Sequence, residues 1–508
     1  MKLSQLYMKT YKSFPYDMGL ESTKLLYRSG LIKFLEDASY SYTPMGKLFA
    51  DRLRAIIKNS FEGYMDIEMA SGEEKNINAY SSDIKSYKEL PLNLVYESKY
   101  KNSDYKFKDG LLNPKSDKMM KFLSFADEEN AAGAYSEAKE KLMGIFKDAG
   151  IDPKCLEEGD KATFMLYTDY PLKSFMSCAN CGYGGEADEL RPVCLDDLST
   201  EEELEMEEVY TPSVGSISDL ESFFGSPASM FIKTLLFDVK GEIVAVLLRG
   251  DKSINIRLLA EHIGVDENMV QMANESQVRE ATSADAGFAG PIGLKAGRIF
   301  CDEQVLRMKN AVVGANRTDY HIKNVNINRD FKPEEVGIFR MAEEGDVCPV
   351  DKAPLKTIQG SCLAQVKISQ ADSKYLNEEG KEKELFEVSA YVNLDRVMAA
   401  TVEKNRDDMG ILWPKGHSPF EYYIIIGNAK KEEEVAAGEK IYDALLEKGL
   451  SAILDDRKER IGSKFKDSEL LGIEKVIVAG KLVSEGKVEL KNRKTSEKED
   501  VEIEQLLK

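Results

Sequence analysis

No stretch of the 508 residues approaches eighteen consecutive apolar positions, so a membrane-crossing helix is not expected. The opening residues, MKLSQLYMKTYKSFPYDMGL, lack the apolar core and small-residue cleavage site of a secretory signal, and a cytoplasmic protein is the expectation. Cysteine is scarce: seven thiols in so long a chain are too few for a disulfide scaffold, which fits a reducing compartment. Positive charge is in deficit as well. Lys and Arg total 69 against 89 Asp and Glu, a net charge of -20. That balance argues against a general polyanion binder, because phosphate contacts need clustered Lys and Arg, and DNA is not an expected partner.

What is present is a long, charged, globular chain. Hydrophobic residues make up 43% and charged residues 31%, the proportions of soluble folded proteins, and the length calls for three or so domains. Charge is unevenly spread. Residues 186–208 hold eleven acids and one base, which reads as a solvated connector. Residues 99–121 hold seven Lys and three Asp, and residues 457–466 five bases and one acid. Either basic run can meet an RNA backbone.

Periodicity divides the chain. Apolar residues at three- and four-residue spacing predict helices over 22–35 and 46–61, the second opened by a turn at Pro44, Met45 and Gly46. An extended stretch near 92–100 and a helix over about 128–149 follow, then a turn-rich cysteine segment and the acidic connector. From about Ser218, FIKTLLFDV and EIVAVLLRG read as short buried strands split by a turn at Lys240 and Gly241, opening a separate α+β unit that runs to about Arg329. FKPEEVGIFR leads into a second cysteine loop, strands near 363–368 and 385–392, and a helix from Leu394. The last hundred residues alternate strand and helix (YYIIIG, EEVAAGEKIYDALLEKG, SAILDD, EKVIVAG), predicting a small α/β domain with a largely parallel sheet.

Short motifs carry a resemblance. SQLY (4–7), LLYRSGLIKFL (25–35), YSYTPMG (40–46), SYKELPLN (86–93), LLRGDKSIN (247–255), GILWP (410–414) and DDRKERIGSKFKDSELLGIE (455–474) are, in order and over nearly the whole length, similar to prolyl-tRNA synthetases of the bacterial type. The resemblance implies an α+β and α/β multidomain protein. A class II synthetase-like body with an antiparallel sheet spans 1–217 and 331–417, an inserted α+β editing domain spans 218–330, and a C-terminal α/β anticodon-binding domain spans 418–508. It implies tRNA(Pro) as partner, a homodimer, and ATP with Mg²⁺ wherever ligase activity persists.

Class II activation of an amino acid needs Arg and acidic metal ligands in fixed places. The family's places are altered here. Its motif 2 Arg–acid pair falls in YKNSD (100–104), which offers Lys101 and no Arg, and a second family Arg corresponds to Lys115. Lys supplies charge but not the planar fork that grips phosphate and carboxylate together. The family's Thr-His-Glu-Glu segment opens here with Ser71 and Gly72, followed by Glu73 and Glu74, and the motif 1 proline is Ala70. In AYVNLDRV (390–397) the motif 3 glycines correspond to Tyr391 and Asn393, where any side chain occupies ligand space, while the motif Arg survives as Arg396. A degenerate site of this kind implies a shallow or blocked ATP pocket narrowed by Tyr391, with Arg396 open to a role as an ion-pair partner.

Residues 218–330 resemble the family's editing domain and the free-standing aminoacyl-tRNA deacylases. Lys233 matches the functional lysine, Asp251 and Asn255 the second segment, Gly287, Gly290 and Pro291 the GxxGP loop, and His321 the histidine of the alanine-discriminating pocket. Hydrolysis of an alanyl ester needs a stabilised oxyanion and a placed water, with no obligatory protein nucleophile and no cofactor. Backbone N–H groups of a glycine loop can serve the first, and a lysine can hold the adenosine end of the tRNA. Lys233 is expected to point into a concavity that receives the 287–291 loop and faces His321.

Cys178-Ala-Asn-Cys181 has metal-ligand spacing, and its counterpart is Cys348-Pro-Val-Asp351, with Cys194 another candidate. Zinc and a metal-free turn both remain open. In the C-terminal domain, Asp456, Arg457, Arg460 and Lys464 match the anticodon-binding loop, where bases pair with phosphates. The readings carried forward are an enzyme that binds tRNA(Pro) and hydrolyses mischarged alanyl-tRNA(Pro) with aminoacylation lost, an active proline–tRNA ligase, and a non-catalytic tRNA-binding or proline-sensing regulator.

Overall fold

The computed structural model describes residues 1–36, 39–69, 77–102, 105–193 and 199–508. They form two compact units, Met1–Lys173 with Gln359–Lys508, and Ser174–Ile358. Among the described residues no helix is long and apolar enough to cross a membrane.

In the first unit a sheet runs in the order Met65–Asp66, Leu92–Lys101, Ser116–Ala126, Glu382–Asn393, Lys356–Leu376, Lys161–Tyr167, Lys154–Glu158. The first pair is parallel and the rest antiparallel. Strand periodicity of two sorts its faces. One row of paired residues reads Val95, Phe122, Ala390, Val366 and Ala162, all in the main core. The next row, on the opposite face, reads Tyr96, Lys121, Tyr391, Gln365 and Thr163. Helices Glu21–Arg28, Pro44–Ser60, Glu128–Asp148 and Leu394–Lys404 supply the core's other side through Leu26, Phe49, Phe146 and Val397.

The helix predicted over 22–35 stops at Arg28. Gly30 turns left-handed at φ 73°, and a Cβ there would sit 2.3 Å from the Lys9 carbonyl oxygen. The chain leaves that turn as the strand Ile32–Phe34, paired with Tyr40–Tyr42. The second helix starts as expected, its Pro44 preceded by Thr43, whose Oγ1 accepts from the Gly46 N–H at 3.1 Å.

The C-terminal sheet runs Ala452–Asp455, Tyr422–Ile426, Lys475–Ala479, Lys487–Asn492, Lys498–Glu502. Its first three strands are parallel and apolar; the last two form an antiparallel extension. In that extension Lys487, Glu489, Lys491 and Asp500 share one face, while Val488, Leu490 and Val501 lie on the other. Trp413 joins this domain to the body, donating from Nε1 to the Leu471 carbonyl at 2.7 Å and stacking on Phe49 at 4.8 Å.

The second unit holds a sheet in the order Val270–Met272, Ile232–Val239, Glu242–Arg249, Arg298–Asp302, Glu335–Gly337. The turn between its central strands has φ 55° at Lys240 and 88° at Gly241, the left-handed pair that suits a two-residue hairpin. A three-stranded sheet, Glu207–Tyr210, Tyr320–Val325 and Ala311–Gly314, completes the unit, which thus begins well before residue 218 and takes in both cysteine loops.

Candidate functional site

The 287–291 loop is held against the edge of the three-stranded sheet by close backbone approach. A Cβ on Gly290 would lie 1.7 Å from the Gly314 carbonyl oxygen, and one on Gly287, at φ 97°, 2.6 Å from that of Gly215. Both glycines are therefore required by space. Asn316 locks the loop: its Oδ1 accepts from the Gly290 N–H at 2.8 Å, and its Nδ2 donates to the Gly290 and Ile292 carbonyls at 2.9 and 2.8 Å. The Gly290 amide is thus spent inside the fold, and Pro291 has none to offer. These two positions shape the loop.

His321 lies beneath the loop. It is 1% exposed, its Nδ1 is 2.7 Å from Thr211 Oγ1, its ring is 5.5 Å from that of Phe288, and it hydrogen-bonds the backbone of Gly287. Burial pushes its pKa down to about 4, against the pull of the Gly287 bond, so the imidazole is neutral at pH 7. Thr211 and Asn316 were not among the sequence candidates. Neither belongs to a motif, and only tertiary pairing brings them here.

Lys233 is the second residue of the strand Ile232–Val239, and its half-buried amine donates to the Gly250 carbonyl at 3.2 Å. Burial lowers its pKa while Glu343 and Asp251 pull it back up. Phe231 bridges Val312 in parallel; two residues along each chain stand Lys233 and Gly314, the glycine on which the loop closes. The amine does not project into open solvent. Asp251 is gripped by Arg249 at 2.7 and 2.9 Å, which outweighs its burial and keeps its carboxyl below the usual range. Asn255, expected to bind substrate, is 1% exposed and fully engaged: Oδ1 caps the helix Ile256–Ile263 at the Leu258 N–H (3.1 Å), and Nδ2 donates to the Asp188 carbonyl (2.9 Å). Its place is architectural.

In the synthetase-like body, Arg396 is 9% exposed and closes its fork on buried Asp117, Nε to Oδ1 at 2.9 Å and Nη2 to Oδ2 at 2.5 Å. Asp117, at the start of the strand Ser116–Ala126, was also missed by sequence reasoning. Asn393 is buried and donates to the Cys362 carbonyl at 3.3 Å. Tyr391 stands mid-sheet between Lys121 and Gln365, its hydroxyl 3.9 Å from Cys362 Sγ. A cavity of about 710 Å³ in this unit is lined by Arg54, Lys58, Glu97, Lys99, Lys118 and neighbours, with Tyr391, Asn393 and Arg396 absent from its wall. Lys101 is exposed at a strand end and Lys115 half-buried across the loop. Ala70, Ser71, Gly72, Glu73, Glu74 and Cys194 lie outside the described residues.

The anticodon-loop candidates separate. Lys464, expected to contact RNA, is fully buried, its Nζ donating to the Ile426 and Asp455 carbonyls at 2.8 and 3.0 Å. Arg457 is clamped by Asp455 (2.9 and 2.6 Å) and Asp467 (2.8 Å); burial opposes its charge, and these bonds raise its pKa in spite of that. Asp456 holds Ser4 through its N–H and Oγ at 2.8 and 2.6 Å. Arg460 is exposed at the start of the helix Ile461–Leu471.

Cys178, Cys181, Cys348 and Asp351 converge, with one ligand atom of each within 4.8 Å of all the others. Their chemistry fits a zinc-class cation.

The domain family described as aminoacyl-tRNA editing domain matches residues 211–331, and the anticodon binding domain family matches residues 421–508. A proline–tRNA ligase of Thermoanaerobacter sp. (strain X514) is 32% identical over 558 residues, covering 99% of this chain and 97% of its own. One from Caldicellulosiruptor bescii is 32% identical over 563 residues, covering 100% and 97%. A prolyl-tRNA synthetase structure from Cryptosporidium parvum, complexed with halofuginone and AMPPNP, covers 99% of this chain and 78% of its own with a TM-score of 0.51 at 10% identity, a likeness of fold.

Proposed function

The chain belongs to the proline–tRNA ligase family, and from that premise we propose that it binds tRNA(Pro) and hydrolyses mischarged alanyl-tRNA(Pro), its ATP-dependent aminoacylation having been lost. The observation that carries the reading is the closed fork of Arg396 on Asp117. A guanidinium spent on a buried carboxylate has no fork left for a polyphosphate, and Asp117 so engaged is a poor Mg²⁺ ligand. Paired in this way, Arg396 and Asp117 are poorly placed to hold ATP and Mg²⁺.

In the editing unit the chemistry asked of the chain is modest. The amides of Gly287 and Ala289 are the loop's remaining donors for a developing oxyanion, since Asn316 takes that of Gly290. Lys233, partly shielded from water, holds the adenosine end of the tRNA. Neutral His321, bonded to Thr211 and to the Gly287 backbone, fixes the floor on which the alanine side chain is sized. Arg460, exposed beside Lys458 and Lys466, meets the anticodon stem, and the working form is a homodimer.

Two assays on the full chain test the proposal. Alanyl-tRNA(Pro) should be deacylated well above its spontaneous rate, and proline-dependent ATP–pyrophosphate exchange should be absent. Exchange at an ordinary synthetase rate would restore the ligase reading that the relatives' names favour. Binding of tRNA(Pro) with neither activity would make the chain a regulator.

A further inference from the structure

We propose that Cys178, Cys181, Cys348 and Asp351 bind one zinc-class divalent cation, with the Asp351 carboxylate as its fourth ligand. The two loops that carry them share a backbone. Cys178 N–H donates to the Tyr183 carbonyl at 2.8 Å and Cys348 N–H to that of Ala353 at 2.9 Å, five residues on in each case. The residue after each second ligand is left-handed, Gly182 at φ 78° and Lys352 at φ 64°. A lysine seldom adopts that conformation, so the second loop keeps the shape of the first at some cost in strain. What differs is the side chain at the fourth position, Asp351 in place of a thiol.

Two opposite edges of the ligand set have the lengths that a tetrahedral site requires. Metal–sulfur arms of about 2.3 Å give sulfur–sulfur edges of about 3.8 Å and sulfur–oxygen edges of about 3.5 Å. Cys181 and Cys348 sulfurs are 3.6 Å apart, and Cys178 Sγ is 3.4 and 3.3 Å from the Asp351 oxygens. A sulfur separation of 3.6 Å is no disulfide, whose bond is about 2.05 Å. Backbone groups orient the set: Asn180 N–H donates to Cys178 Sγ at 3.4 Å, and Ala353 N–H to Asp351 Oδ1 at 3.1 Å. The loops lie just inside Ser174 and Ile358, the two ends of the second unit, with 167 residues separating Cys181 from Cys348. One ion would join those ends, and closing so long a loop removes freedom from the unfolded chain.

The test uses the full chain prepared under a thiol reductant. It should retain about one zinc per chain, and the Co²⁺-substituted protein should show near-ultraviolet thiolate charge transfer and the intense visible bands of a tetrahedral site. Asp351→Ala should weaken zinc, measured against a chromophoric chelator, by at least about tenfold, the least expected when a direct ligand is lost. Asp351→Cys should restore binding and add to the thiolate band. A chain that holds no zinc after loading would overturn the proposal, as would Asp351→Ala with unchanged affinity and Co²⁺ spectrum. Should Asp351→Ala not fold, the parent's Co²⁺ spectrum decides: three-thiolate intensity supports Asp351, and four-thiolate intensity removes it.

Discussion

Burial acts on His321 and Lys233 in the same direction, but only the lysine has carboxylates within reach to resist it. For His321 the folded pKa of about 4 lies below the ordinary 6.5. The unfolded chain therefore binds the extra proton between those values, and stability rises with pH through that window. The contribution is complete above pH 6.5 and lost as pH falls toward 4, on the order of 3 kcal/mol at most. Urea unfolding at steps from pH 7 to pH 4 should show this slope in the parent and its reduction in His321→Gln; parallel slopes would mean that the imidazole is not held neutral. Lys233→Ala should cut deacylation of alanyl-tRNA(Pro) by about thirty- to several-hundred-fold, the range for losing about 2 to 4 kcal/mol of transition-state stabilisation. Stability should move by less than about 1 kcal/mol. A deacylase rate left intact would take Lys233 out of the site.

At the scale of elements, the Arg396–Asp117 pair ties the helix Leu394–Lys404 to the strand Ser116–Ala126 inside the core. Asp117→Ala leaves a guanidinium buried without its counter-charge and should cost about 3 to 5 kcal/mol in chemical denaturation. On the proposed loss of aminoacylation, it should give no pyrophosphate exchange, because freeing one fork places no arginine at 100–104 or at position 115. A gain of exchange would show that Asp117 alone silences the site. The same pair illustrates what a pattern conveys. The strands Ile232–Val239 and Glu242–Arg249 were legible from apolar runs and their Lys240–Gly241 turn. The helix over 22–35 was overextended because its apolar spacing continues past Gly30, and only the approach of the Lys9 backbone forces the turn. A run of bases at 457–466 suggested RNA contact, yet which of them faces inward depends on Asp455 and Asp467.

The whole molecule comprises two units with separate cores, Ser174–Ile358 holding its own apolar clusters around Val246 and Val313. Units of this kind unfold separately unless a large apolar interface couples them. Differential scanning calorimetry should therefore resolve two transitions, and a strong zinc chelator should lower only that of the second unit. One transition with equal calorimetric and van't Hoff enthalpies would show a single cooperative block.

By itself the sequence determined the family, the order of the domains, most of the long strands and helices and the glycine positions of the 287–291 loop, because local periodicity and close backbone approach leave marks that need no partner. The tertiary structure decided which polar side chains are free. Asn255 became a helix cap, Lys464 an interior cation, Arg396 half of a buried pair and Asp351 the neighbour of three thiols. Each of those roles depends on a group many residues away, and a linear pattern does not record which distant charge a folded side chain will meet.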